Sequence, residues 1–251
     1  MNVFITNLKS DSETVHSAAY DKYAAELLCR QRYEKYKAFR SEKAAYESLA
    51  AGLLLQTGLE RLYGIGKNEL EFEYTDKEKP YLKGRKDICF SISHTEEFAG
   101  VAIGSIPLGF DAECAGYSES ADKIKLDEKN LKVAYRFFSE DEMHFLEKCD
   151  DKSWCFRELW SMKESYMKLT GLGFSKTLDS FSVSYIPDEY DKNGMLTGYV
   201  YEHEDSKKKA AILKCFRKQE TAFSVCCPCV IDNTEQDIKV NEILMSELTG
   251  E

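Results

Sequence analysis

The residues best placed to do chemistry are acidic, and they come in two short patterns. In the run Gly109-Phe110-Asp111-Ala112-Glu113, strand alternation sends Asp111 and Glu113 to one face and Leu108, Phe110 and Ala112 to the other. Two carboxylates on one face repel unless a cation lies between them, and oxygen-only ligands favour magnesium or calcium over zinc. On an exposed strand the same pair is simply solvated. Further on, residues 160–168 (WSMKESYMK) have helical spacing, with Glu164 and Lys168 four apart. The plain reading is a surface ion pair worth about 0.3 kcal/mol. Against it, Glu164 lies among Leu159, Trp160 and Tyr166, where a partly desolvated carboxylate wants a cation. His94 closes a strand-like run, and Ser139-x-x-Glu142 has the form of a helix capping box. Arg30, Arg32, Lys35, Lys37 and Arg40 make the densest basic stretch, either a solvated helix face or a patch that holds phosphates.

The elements that must position these groups can be read from periodicity. Helices are predicted over 17–39, over 41–63, from Ser139 onward and around 155–171. Strands are predicted at 69–74, where Leu70, Phe72 and Tyr74 share one face, and then at 88–93 and 98–104. A second set comes at 179–186, 197–202, 210–216 and 222–229. Each half thus reads as helices and then strands, an α+β fold of two related halves, 1–107 and 108–251. The run 238–250 reads as a short terminal helix.

Composition excludes several classes. A net charge of −10 over 251 residues argues against nucleic-acid binding and gives no long-range attraction for an acidic partner. No run of 18 apolar residues exists and the N-terminus lacks a secretory pattern, so a cytoplasmic protein without a membrane anchor is expected. The nine cysteines are odd in number and scattered, and read as reduced core thiols.

Taken in order, these patterns resemble the Sfp-type 4′-phosphopantetheinyl transferases from about Arg32 to Pro228. The most specific stretch, LWSMKESYMKLTGLGFSKTLDSFSV (159–183), is close to that family's W-[ST]-x-K-E-[SA]-x-x-K signature and the segment after it. LGFDAE (108–113), EKPYL (78–82), FSISHT (90–95) and YRFFSEDE (135–142) match other family elements, with Ser91 replacing the usual asparagine. The resemblance implies two related α/β halves forming a pseudo-dimer, with the active site in the cleft between them. It implies a monomer that moves the 4′-phosphopantetheine arm of coenzyme A onto a serine of an acyl or peptidyl carrier protein, with release of 3′,5′-ADP.

Residue by residue, the resemblance implies Mg2+ held by Asp111, Glu113 and Glu164, and phosphates contacted by Lys163 and Lys168. Arg32, Lys35 and His94 would reach the coenzyme's 3′-phosphate, with Ser48 and Ser93 nearby, and Lys79 and Pro80 would line the adenine pocket. Glu142 falls where the family has a proposed general base, although the capping-box reading stands beside it. The chain departs from the family at Glu47, where arginine is frequent. Carrier docking would use an apolar patch of Phe137, Met143 and Leu146 with Lys123, Lys125 or Lys132. Two rival functions use the same residues: a magnesium-dependent phosphohydrolase on coenzyme A or small nucleotides, and a non-catalytic coenzyme A or carrier-binding module.

Overall fold

The structure is a computed structural model, and it describes residues 1–9, 17–115, 128–172, 177–229 and 237–250. The chain separates into two compact units, Met1–Ile106 with Gln236–Glu251, and Pro107–Glu235. Each unit has its own apolar core.

In the first unit, strand β1 (Asn2–Asn7) leads to helices α1 (Ser17–Leu27), α2 (Arg30–Lys37) and α3 (Glu42–Tyr63). A small hairpin, β2 (Phe72–Tyr74) and β3 (Pro80–Leu82), precedes β4 (Cys89–His94) and β5 (Phe98–Gly104). Leu49, Leu54, Leu55 and Leu59 of α3 are fully buried in one core with Val101 and Ile103 of β5. The single helix predicted over 17–39 is two. Cys29 is extended, its N–H donates to Gln56 Oε1 at 2.6 Å, and Gln56 Nε2 donates to Leu27 O at 2.9 Å. A side chain of α3 thus satisfies the backbone groups exposed where the helix breaks, which periodicity in 17–39 cannot show. The strand predicted at 69–74 shortens to β2: Leu70 and Phe72 are buried, but Tyr74 is 52% exposed.

The second unit opens with β6 (Gly109–Cys114) and continues through α4 (Glu128–Phe137), α5 (Glu140–Lys148) and α6 (Lys152–Thr170). Four strands come next: β7 (Phe181–Tyr190), β8 (Leu196–Glu202), β9 (Lys209–Lys218) and β10 (Thr221–Pro228). With β6 they form an antiparallel sheet of order β6-β10-β9-β8-β7.

The chain then returns to the first unit as β11 (Lys239–Glu242) and α7 (Met245–Thr249), completing a sheet of order β11-β1-β5-β4. The predicted terminal helix is therefore confined to Met245–Thr249, and Lys239–Glu242 before it is a strand paired in parallel with Asn2–Ile5. The otherwise open edge of β1 supplies hydrogen-bonding groups that four residues can satisfy only as a strand. In both units the first strand lies beside the last strand of a later antiparallel pair, β1–β5–β4 and β6–β10–β9.

One cysteine expectation is corrected. Cys149, after α5, and Cys155, in the first turn of α6, form a disulfide with Cα atoms 6.6 Å apart, because the short turn between the helices folds one onto the other. Cys226 and Cys227 lie buried in β10. Among the described residues no helix is long and apolar enough to cross a membrane.

Candidate functional site

Helix α6 packs on β6 and β10, and the facing positions are small. Ser161 and Ser165 are fully buried, and Ser161 Oγ lies 2.7 Å from Ser224 Oγ on β10. Gly109 begins β6 directly under the helix. A Cβ there would fall on the Ser165 carbonyl oxygen and the Leu169 amide nitrogen, and would stand 3.0 Å from the Lys168 carbonyl carbon. In the sequence Gly109 is one letter of a motif; its role as the point of closest strand–helix approach emerges only when the two elements meet.

Two residues beyond Gly109, Asp111 is 4% exposed and accepts from Lys168 Nζ at 2.7 Å. Glu113 is pushed up to about 9 by burial, then by the charges of Asp111 and Glu164, with a hydrogen bond to Asp111 acting in the same direction. Glu164 is raised by burial and then by Asp111, with Lys168 opposing. The three carboxylates and Lys168 therefore feel one another at short range. Among the described residues no three acidic, histidine or cysteine side chains are arranged as a ready metal cage. The donor set nonetheless fits a hard divalent cation in its chemistry: oxygen ligands only, and a surplus of negative charge that a single lysine leaves uncompensated.

This cluster makes stability depend on pH. The folded state holds the Glu113 proton up to about 9, whereas the ordinary value is 4.5. Folding therefore takes up a proton between those values, and the group's contribution, full below 4.5, is lost as pH rises toward 9, by up to about 1.4 kcal/mol per unit. Thermal melts in chelator are expected to lose midpoint across that window. Magnesium should restore more at pH 8.5 than at pH 5.5; an equal restoration at both would contradict the cluster as a cation site.

Glu142 and Lys163 are drawn together elsewhere in the same unit. Lys163 is 0% exposed and donates to Glu142 Oε1 at 2.9 Å, Glu142 Oε2 at 2.8 Å and the Phe181 carbonyl at 2.9 Å. Glu142 also accepts from Val183 N on Oε1 and from Ser139 N on Oε2, both at 2.7 Å. Ser139 Oγ accepts from Glu142 N at 3.2 Å, so the capping box is formed. Three donors of the lysine and four acceptor positions of the carboxylate are filled. This geometry disagrees with a general base at Glu142 and with a phosphate contact at Lys163; both side chains tie α5 and α6 to β7.

The remaining candidates belong to the first unit. Arg32, on α2, is 8% exposed, and its Nε and Nη2 are buried without a hydrogen-bond partner among the described residues. Burial pushes it below the usual arginine range, and Lys35 is lowered by burial and by Arg32. A buried guanidinium with spare donors beside a second cation suits an anion. Ser48 and Ser93 are buried, Lys79 and Pro80 are half-buried where the hairpin enters β3, and His94 is exposed at the end of β4. Glu47 Oε2 lies 3.3 Å from His94 Nδ1. The expected docking patch, in the second unit, is corrected in part: Leu146 is core, with Phe137 and Met143 packed half-buried against it. Lys132 is exposed on α4, and Lys123 and Lys125 lie outside the described residues.

Comparison with known proteins bears on the family of the chain. The pattern of the 4′-phosphopantetheinyl transferase superfamily matches residues 107–226, and that of the 4′-phosphopantetheinyl transferase N-terminal region matches residues 17–105. A 4′-phosphopantetheinyl transferase of Bacillus subtilis is 33% identical over 165 residues, 65% of this chain and 68% of that protein. The 4′-phosphopantetheinyl transferase gsp of Aneurinibacillus migulanus is 26% identical over 223 residues, 88% of this chain and 84% of the relative. The L-aminoadipate-semialdehyde dehydrogenase-phosphopantetheinyl transferase of Saccharomyces cerevisiae is 29% identical over 145 residues, 57% of this chain and 53% of the relative. With the two patterns covering both units, and with the acidic cluster and its lysine inside the matched region, this chain belongs to the 4′-phosphopantetheinyl transferase superfamily.

Proposed function

We propose that the protein transfers the 4′-phosphopantetheine group of coenzyme A to a serine of an apo acyl or peptidyl carrier protein, releasing 3′,5′-ADP. The observation that carries this reading is the meeting of Asp111, Glu113 and Glu164 with Lys168 over the close contact of β6 and α6. Asp111, Glu113 and Glu164 would hold Mg2+, which when bound supplies positive charge against the diphosphate oxygens. Phosphoryl transfer asks chiefly for positioning and charge stabilisation, and the rest of the constellation serves that end.

Lys168 keeps an ammonium beside the carboxylates, where it neutralises the oxygen released when the diphosphate breaks. Arg32, Lys35 and His94 would hold the 3′-phosphate, Ser48 and Ser93 would donate to it, and Lys79 with Pro80 would bound the adenine. The carrier serine must give up its proton. With Glu142 fully engaged, Glu113, as an ionised carboxylate, would take that proton.

The test is intact-protein mass spectrometry of an apo carrier incubated with the protein, coenzyme A and MgCl2. A gain of one phosphopantetheine on the carrier, absent when the carrier serine is replaced by alanine, is the expected result. Free phosphopantetheine with an unmodified carrier would instead establish the hydrolase. An unchanged carrier and intact coenzyme A would leave only a binding module.

A further inference from the structure

Hairpin β2–β3 forms a two-stranded sheet, an arrangement that is marginal unless something packs on it. Its ladder runs through Glu71 and Thr75: Lys83 N donates to Glu71 O at 2.9 Å, and Thr75 N donates to Lys79 O at 3.0 Å. Phe72 is out of phase with both, so its N–H and C=O face away from β3. Gln31, on α2, takes both groups. Its Nε2 donates to Phe72 O at 2.9 Å, and its Oε1 accepts from Phe72 N at 2.6 Å. One side-chain amide thus stands where a third strand would.

The next residue of α2 is Arg32, whose Cζ lies 5.9 Å from the centroid of the Phe72 ring. That ring also meets Phe90 of β4 edge to face, with centroids 5.8 Å apart. The tip of the hairpin is fixed from within, because Thr75 Oγ1 accepts from Lys79 N at 3.1 Å and Tyr74 pairs with Pro80. Lys79 and Pro80 therefore move with Phe72 as one body. Gln31 joins that body to the helix that bears Arg32 and Lys35.

We propose that Gln31 is a positioning residue for coenzyme A. It holds the adenine wall at Lys79 and Pro80 at a fixed offset from the cations of α2, so that a bound adenosine delivers its 3′-phosphate to Arg32. Gln31 acts through Phe72, not on the coenzyme. The proposal rests on the placement of coenzyme A given above.

The test uses Gln31→Met, which keeps the length of the side chain and removes both hydrogen bonds while the Phe72–Phe90 contact stays. Calorimetric titration of the natural protein and the variant with 3′,5′-ADP and with 5′-AMP needs no carrier and no turnover. The natural protein should prefer 3′,5′-ADP by about tenfold or more, and the variant's preference should narrow at least about threefold. Partial unfolding cannot imitate this, since a smaller competent fraction weakens both nucleotides by the same factor. With one carrier, KM for coenzyme A should rise about tenfold while kcat stays within about twofold, because the carboxylate cluster and Lys168 belong to the second unit. A preference unchanged by Gln31→Met, or absent from the natural protein, overturns the proposal, as does a fall in kcat with KM unchanged. A narrowed preference in a protein that leaves its carrier unmodified would support the role of Gln31 and count against the transferase reading instead.

Discussion

Lys163→Met is expected to destabilise the protein by about 3–5 kcal/mol, the usual cost of removing one partner of a buried ion pair. The lysine is fully buried, and its ammonium, held down by burial and supported by Glu142, donates to three protein acceptors. Its loss leaves a carboxylate 2% exposed and supported only by the backbone N–H groups of Ser139 and Val183. Adding Glu142→Gln to Lys163→Met should recover only part of the loss. It removes the stranded charge, but an amide nitrogen cannot accept, so Ser139 N and Val183 N cannot both be satisfied. Urea melts of the two variants measure the difference. A Lys163→Met protein within about 0.5 kcal/mol of the natural one would mean that the pair is not a strut. The same variants separate structure from catalysis: if Glu142 only positions α6, Glu142→Gln keeps the acid limb of the pH–rate profile, whereas a general base would lose it.

Gly109→Ala is expected to cost about 3 kcal/mol and to reduce carrier modification about 10²-fold. The added methyl meets backbone atoms of α6, at Ser165, Lys168 and Leu169, rather than the yielding end of a side chain. Helix and strand must separate, and overpacking of a close contact typically costs about 1–3 kcal/mol. The displaced turn bears Lys168 and comes just after Glu164, while Asp111 stays with β6, so the cluster opens. A misplacement near 1 Å in such a site costs about 10²-fold in rate. Activity at natural levels with an unchanged melting midpoint would show that α6 does not depend on this contact.

The capping box at Ser139–Glu142, the long helices α3 and α6 and the strands β4, β5 and β7–β10 were legible in the chain because each is a local pattern. So was the shared face of Asp111 and Glu113, a consequence of the two-residue period of a strand. The motif order alone carried the family, since its residues are separated by spacings that chance does not reproduce.

What the sequence could not say is what each polar group would find opposite it. Helix periodicity in 17–39 runs unbroken past Cys29, but a glutamine from α3 breaks the helix there. Lys163 and Glu164 are adjacent letters of one motif, yet a turn of about 100° around the helix sends one into the core beside Glu142 and the other toward Asp111. The last strand joins the first because β1 had an edge to fill. Residue types and spacing determined which chemistry was possible; only packing decided which acidic side chains gather beside Lys168, which is a strut, and that a glycine must stand where the helix crosses the strand.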